Sequence, residues 1–180
     1  MWEALICYTH LMSSQELVDL VNDNGEVVKA ALPRPEAEKL NGDELHIPTI
    51  GCVILNSFGE VLVHERPKGK RFEGCLDHVY GAISSGESPE DAAVRECIEE
   101  VGARIKRIQR VKAGVNINHY YQYSFAVTVD GELDEANREV SWAEFLPVEK
   151  LRAENEGNVR TFTPNFFVDL DAALASLDAS

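Results

Sequence analysis

Apolar positions change their period several times along the chain, and each change marks an element. From Glu16 to Val28 two short β-prone runs flank Asn24-Gly25, the strongest local signal for a hairpin. Pro33 to Asn41 opens with Pro33 and Pro35 and continues as a short polar helical piece that Asn41-Gly42 breaks. Ile47 to Leu55 is a continuous apolar run with Pro48 near its start, which predicts a buried strand. Asn56-Ser57-Phe58-Gly59 turns the chain, and Glu60 to Arg66 returns it, with Val61 and Val63 alternating against Leu62 and His64. Arg104 to Val111 reads as a strand and Gly114 to His119 as a loop. Tyr120 to Val129 is a clear strand: Tyr121, Tyr123, Phe125, Val127 and Val129 alternate with Gln122, Ser124, Ala126 and Thr128. Glu139 to Trp142 is predicted as another short strand, Pro147 opens a helix to about Ala153, and Thr163-Pro164 caps a last helix ending near Leu177. Residues 1–14 are weakly patterned, and Trp2, Leu5, Ile6 and Leu11 are their apolar positions. With no repeat, low-complexity tract or linker, the pattern predicts an extension over 1–14 and one domain over 15–180.

The stretch from Gly81 to Ala103 has a different character. Gly81 and Gly86 predict a tight loop where backbone can approach a ligand. Ser88-Pro89-Glu90-Asp91 is a helix start, with Ser88 as N-cap and Pro89 at the first helical position. The helix runs to about Val101, and Gly102 suits the left-handed position that ends it. Ala92, Glu96, Glu99, Glu100 and Ala103 are expected on one face, and Ala93, Val94, Cys97, Ile98 and Val101 on the opposite, inward side. Three carboxylates this close repel one another unless neutralised, and they suit a hard divalent cation such as Mg²⁺. A solvated acidic face is the plainer reading of the acids alone.

Composition sharpens this reading. The chain has 180 residues and a net charge of -14, which argues against a nucleic-acid backbone or an anionic membrane as partner. A phosphate-binding site in so acidic a protein is reconciled by metal ions, which invert the local sign. Cys7, Cys52, Cys75 and Cys97 are widely spaced without a CxxC pair, so zinc and redox motifs are not expected and a reduced, cytoplasmic protein is. No long apolar run and no basic, apolar leader stands in the sequence, which predicts a soluble intracellular protein. The basic cluster Arg66, Lys68, Lys70 and Arg71 is a candidate for substrate phosphates, although Pro67 and Gly69 also suit a solvated turn. Tyr80, Tyr121 and Tyr123 are candidates to stack on a base or a prenyl-like group, with core packing as the alternative for the strand tyrosines.

The spacing Gly-x5-Glu-x7-Arg-Glu-apolar-x-Glu-Glu-x-Gly-apolar, with Cys97 and Ala103 in the apolar slots, resembles an unbroken Nudix box, the signature of Nudix hydrolases. The resemblance implies an α/β fold, a mixed sheet sandwiched between helices, with the predicted hairpin preceding it. It implies that Glu96, Glu99 and Glu100 ligate Mg²⁺, or Mn²⁺ as a substitute, with the Gly81 carbonyl as a further ligand. Arg95 would orient a glutamate and Glu87 would brace the loop. Over roughly residues 15–155 the chain also looks like the group of Nudix proteins related to type I isopentenyl-diphosphate isomerase. The positions that carry isomerase chemistry differ, however. Tyr80 stands at the nucleophilic cysteine, Ala82 at a histidine, Asn118 and Tyr120 near the later glutamates and Lys39 at a second histidine, so that His46 alone survives.

Together these features lead to the expectation of a hydrolase that cleaves a diphosphate link in a small molecule with a metal-activated water. Glu99 or Glu96 would be the general base, with Glu139 and Glu144 as further candidates. Isomerase activity and a non-catalytic nucleotide-binding module are the alternatives, and a homodimer through the N-terminal extension fits the same picture.

Overall fold

A computed structural model describes residues 16–130, 133–134 and 139–178. The expectations for residues 1–14 and Cys7 lie outside these. The chain begins with a hairpin of β1 (Leu17–Val21) and β2 (Val27–Pro33), followed by α1 (Arg34–Leu40). Its turn is built by Asn22, whose side-chain oxygen accepts the N–H groups of Asn24 and Glu26, and by Gly25 at φ 78°. Val18 and Leu20 pack with Ala37, Ile47 and Ala82, which docks the hairpin and α1 on the main body.

The main body is a seven-stranded mixed sheet. Its centre is β3 (Pro48–Leu55), all of whose residues are buried. One side of β3 pairs in parallel with β8 (Tyr121–Val129), from Pro48 opposite Tyr121 to Leu55 opposite Thr128. The other side pairs antiparallel with β6 (Val79–Ala82) and, at its end, with β4 (Val61–Glu65). The short β5 (Leu76–Asp77) and β9 (Ala143–Leu146) flank β4, and β7 (Ile105–Val115) completes the sheet beside β8. The period of two along β3 sends Ile50, Cys52 and Ile54 to one face and Val53 and Leu55 to the other. On the first face lies α2 (Pro89–Val101), through Ala93, Cys97 and Val101. On the second lie α3 (Val148–Glu156) and α4 (Phe166–Asp178), through Leu151, Phe166 and Leu170. Each large side chain so buried contributes about 1.5–3 kcal/mol, and the result is the helix–sheet–helix sandwich the sequence predicts.

Three predicted boundaries move. The strand after α2 runs on to Val115, so the loop before β8 shrinks to residues 116–120. Glu139 to Trp142 is not a strand: the N–H groups of Glu139 and Val140 donate to the carbonyls of Glu99 and Glu100 at the end of α2, and β9 starts only at Ala143. The short strands β5 and β6 are not predicted, and β6 runs into the box as far as Ala82.

The helix α2 ends as predicted. The Ser88 hydroxyl accepts the Asp91 N–H at 3.1 Å, and Gly102 adopts φ 66° against the Asp134 backbone, where a Cβ would collide. Its faces are divided differently. Ala92 is buried and Ile98 is 49% exposed. The helix lies on the sheet along the adjacent rows Ala93-Cys97-Val101 and Ala92-Glu96-Glu100, so two of the acids flank the apolar seam instead of opposing it. Cys52, Cys75 and Cys97 are free thiols. No helix among the described residues is long and apolar enough to cross a membrane.

Candidate active site

The row Ala92-Glu96-Glu100 runs along one wall of a cleft of about 410 Å³, which Glu96 and Glu100 both line. Gly81, expected in a loop, lies in strand β6 opposite Ile50. A Cβ there would overlap the carboxyl group of Glu96. Glycine is therefore required for close approach and not for a turn; the turn glycine is Gly86, at φ 79°. Gly81→Ala is expected to expel the Glu96 carboxylate from the cleft and to reduce turnover at least about 10²-fold with little loss of stability. Wild-type kinetics from that variant would show that the close packing is dispensable.

The strand period also sets which main-chain groups of β6 face the acidic helix. The Tyr80 N–H donates to Glu100 Oε2 at 3.2 Å, and the Ala82 carbonyl accepts from Arg95 Nη2 at 3.1 Å. The peptide groups of Tyr80 and Ala82 thus face α2, and those of Gly81, one residue out of phase, turn into the ladder with β3. The main-chain carbonyl beside the acidic helix is that of Tyr80.

Arg95 is the hub of the site. Its Nε and Nη2 grip the two oxygens of Glu87 at 2.8 and 2.9 Å, and its Nη1 reaches Glu96 at 2.7 Å and Glu99 at 3.2 Å. Glu87 in turn accepts the Ser84 N–H at 3.0 Å, which braces the bend before the helix. The fork holds the Glu87 carboxyl below its ordinary range, and Arg95 stays charged. Glu99 is 51% exposed and lies on the Arg95 side, outside the cleft lining.

Glu100 differs from both. It is mostly buried, and burial pushes its carboxyl up to about 8, with the charges of Glu96 and Asp77 adding to the effect. Burial also raises Glu96, and the charges of Glu99 and Glu139 outweigh part of what Arg95 offers. His64 Nε2 lies 3.9 Å from Glu100, but burial holds that imidazole below its ordinary value, so it supplies little compensating charge.

Arg66, Lys70, Arg71 and Tyr80 line the same cleft, whereas Lys68 does not. Arg66 is locked by Asp77 Oδ2 at 2.9 Å and by the Arg71 carbonyl at 2.7 Å. Tyr80 donates to Thr49 Oγ1 at 3.0 Å, and burial pushes its hydroxyl up to about 12. Tyr121 packs against Gly25 and lies off the cleft, as does Tyr123. Glu139 joins the lining; Glu144 lies in a separate, open hollow with Trp142 and Arg160. His46 is structural: its Nδ1 meets the His119 carbonyl at 2.8 Å and its Nε2 meets Asp23 at 2.7 Å, tying the hairpin to the β7–β8 loop.

A polar network that the sequence reading missed reaches the cleft lining through Asp77, His78 and Thr163. His78 is fully buried between Asp77 Oδ1 at 3.1 Å and Asp169 Oδ2 at 3.2 Å, slightly off hydrogen-bond alignment. Asp169 also accepts from Gln122 at 2.7 Å and Ser124 at 2.8 Å and pairs with Lys112 at 3.2 Å, and Asp77 accepts from Thr163 at 2.6 Å. The flanking carboxylates overcome desolvation and raise His78 to about 10, while Asp169 is lowered to about 2. The signal available in the sequence was the polar pair Gln122 and Ser124 on one face of a strand whose other face is Tyr121, Tyr123, Phe125, Val127 and Val129.

Among the described residues no three His, Cys, Asp or Glu side chains converge as a ready metal cage. The donor set still fits a hard cation. Two partly buried carboxyl groups with raised affinity for protons stand together on one cleft wall, beside a strand carbonyl, and only Glu96 is paired with Arg95.

The comparisons agree with the geometry. The NUDIX domain family model matches residues 45–166. An uncharacterized Nudix hydrolase of Listeria monocytogenes is 31% identical over 84% of this chain and 90% of its own. An 8-oxo-dGTP diphosphatase of Haemophilus influenzae is 35% identical over 33% of this chain and 44% of its own. The crystal structure of DR0079 from Deinococcus radiodurans superposes with a TM-score of 0.70 at 22% identity, over 87% of this chain and 99% of that one, and so shares the fold. With its box complete and two acids of that box, Glu96 and Glu100, on the wall of a cleft, the chain belongs to the NUDIX domain family and is a Nudix hydrolase, of the class that acts on diphosphate-containing substrates.

Proposed function

We propose that the protein is a Mg²⁺-dependent hydrolase, with Mn²⁺ as a substitute, that cleaves the diphosphate link of a nucleoside diphosphate-X or related small molecule. The observation that carries this reading is the pair Glu96 and Glu100, partly buried side by side on the wall of a cleft that also presents Arg66, Lys70 and Arg71, with burial raising both carboxyl groups. Glu100, Glu96, Glu99 and the Tyr80 carbonyl would hold the cation. When bound, it neutralises the diphosphate oxygens and acidifies a water. Arg95 keeps Glu96 and Glu99 in place until the ion arrives, and the Glu87 brace fixes Arg95. Glu99 or Glu96 would take the proton of the attacking water, as the carboxylates of the box beside it. Arg66, held open to the cleft by Asp77, and the side chains of Lys70 and Arg71 meet the phosphates of substrate and leaving group.

The likeness to the isomerase-related group belongs to this reading as an architectural one. Isomerisation needs a thiolate where Tyr80 stands, and a hydroxyl raised to about 12 and bonded to Thr49 does not replace it. The net charge of -14 favours a small, cytoplasmic substrate over nucleic acid or membrane, and a homodimer through residues 1–14 completes the proposal.

The test is a chromatographic screen for the products of diphosphate cleavage (phosphomonoesters, pyrophosphate or phosphate) over nucleoside di- and triphosphates, dinucleoside polyphosphates, nucleotide sugars, coenzyme A, NADH and prenyl diphosphates, with Mg²⁺ and with EDTA. Metal-dependent cleavage of at least one is expected. Tight binding without turnover would favour a sensing module, and allylic product from isopentenyl diphosphate without phosphate release would favour the isomerase.

A further inference from the structure

The cleft extends beyond the segment that the family model matches. Part of its wall comes from α1, where Arg34 and Glu38 line it ahead of residue 45. This helix is firmly docked. Ala37 is buried against the body, and Arg34 Nη1 holds both oxygens of Glu16 at 2.9 and 3.0 Å. Glu38 accepts the Tyr120 hydroxyl at 3.1 Å, and the Tyr120 ring stands edge-on to Tyr80 with centroids 6.5 Å apart. Two residues earlier in the same loop, the Asn118 side-chain oxygen accepts from Arg71 at 2.8 Å.

We propose that α1 and the β7–β8 loop form the base-reading end of the cleft, where a nucleobase lies against Tyr120 and donates its N–H groups to Glu38. This assignment rests on the diphosphate-hydrolase reading and narrows its substrates to those that carry a base. An ionised carboxylate offers about four acceptor positions, and Glu38 uses one well, on Tyr120, and one weakly, on Arg34 at 3.5 Å. Every nucleobase presents both a flat π face and an N–H edge. A prenyl chain presents neither, and it would desolvate Glu38 and Arg34 without replacing their water. The phosphates of the same substrate then fall toward Arg66, Lys70 and the acidic row, which line the same cavity. Tyr120 gains its fixed orientation from outside its own loop, so a hairpin and helix ahead of the family segment would set specificity without touching the reacting atoms.

The experiment compares binding of methylene-bridged nucleoside diphosphates with methylenediphosphonate by calorimetry, in the presence of Mg²⁺, for the full chain and for Glu38→Ala and Glu38→Gln. The wild type is expected to bind the base-bearing analogues about tenfold or more tighter. Glu38→Ala is expected to erase most of that preference and leave methylenediphosphonate binding unchanged, with Glu38→Gln intermediate. Equal binding of the two analogues by the wild type, or an equal loss for both in Glu38→Ala, would overturn the assignment. Binding of neither would overturn it together with the diphosphate reading. Base-dependent binding without turnover of the natural diphosphates would keep the assignment and overturn only hydrolysis.

Discussion

Glu100→Gln is expected to lower Mg²⁺-dependent turnover by about 10³-fold while leaving the protein folded. The size of the effect follows from position. Glu100 is only 18% exposed, its Oε2 takes a backbone N–H from Tyr80, and among the described residues no Lys or Arg forms an ion pair with it. A carboxylate in that setting is costly to the empty protein and is relieved by a bound ion. The same variant should melt, in EDTA, no lower than the wild type, because a neutral amide replaces a buried acid that binds its proton up to about pH 8. Added Mg²⁺ should raise the melting temperature of the wild type and not of the variant. Turnover within threefold of the wild type would remove Glu100 from the site.

The second large effect concerns stability. Asp169→Asn is expected to cost about 3 kcal/mol, because it leaves the His78 imidazolium with one carboxylate partner instead of two in a fully buried place. The pH dependence gives this prediction its sign. The His78 value is raised in the folded state, so its contribution is fully present below about pH 6.5 and fades as pH rises through about 10. The Asp169 value is lowered, so its contribution is present above about pH 3.9 and fades as pH falls through about 2. The wild type should therefore be most stable between these limits and should lose stability steadily from neutral pH upward. In Asp169→Asn the alkaline decline should be shallower and the overall stability lower, as read from urea midpoints at pH 5, 7 and 9. A variant curve parallel to the wild type and no lower would show that the three groups do not act as a unit.

Much of the fold is written in local patterns. The hairpin at Asn24-Gly25, the buried β3 run and the ends of α2 at Ser88 and Gly102 each rest on a residue type with one physical use, and each is found where the sequence places it. Expectations failed where tertiary contacts decide. The apolar and acidic rows of α2 could not be assigned to faces by spacing alone, because Ala92, Glu96 and Glu100 are inward only by virtue of the cleft beside them. Glu139 and Val140 looked like strand residues until their N–H groups were spent on the end of α2. Gly81 was legible as special, but its reason, room for Glu96, is a contact across 15 positions of chain. The box acids and Arg95 were legible because their spacing is a motif, and the structure brings Glu96, Glu100 and Arg95 together around one cleft wall. His78 and Asp169 were not, since 91 positions separate them and neither stands in a motif. Lys68 shared the basic run but not its geometry, pointing outside the cleft that Arg66, Lys70 and Arg71 line.

Crystals of the protein soaked in Mn²⁺ and measured for anomalous scattering address the site most directly. An anomalous peak bound by Glu100 and Glu96 within the cleft, absent in Glu100→Gln, is the predicted result. A wild-type map at saturating Mn²⁺ with no peak at these carboxylates would contradict it.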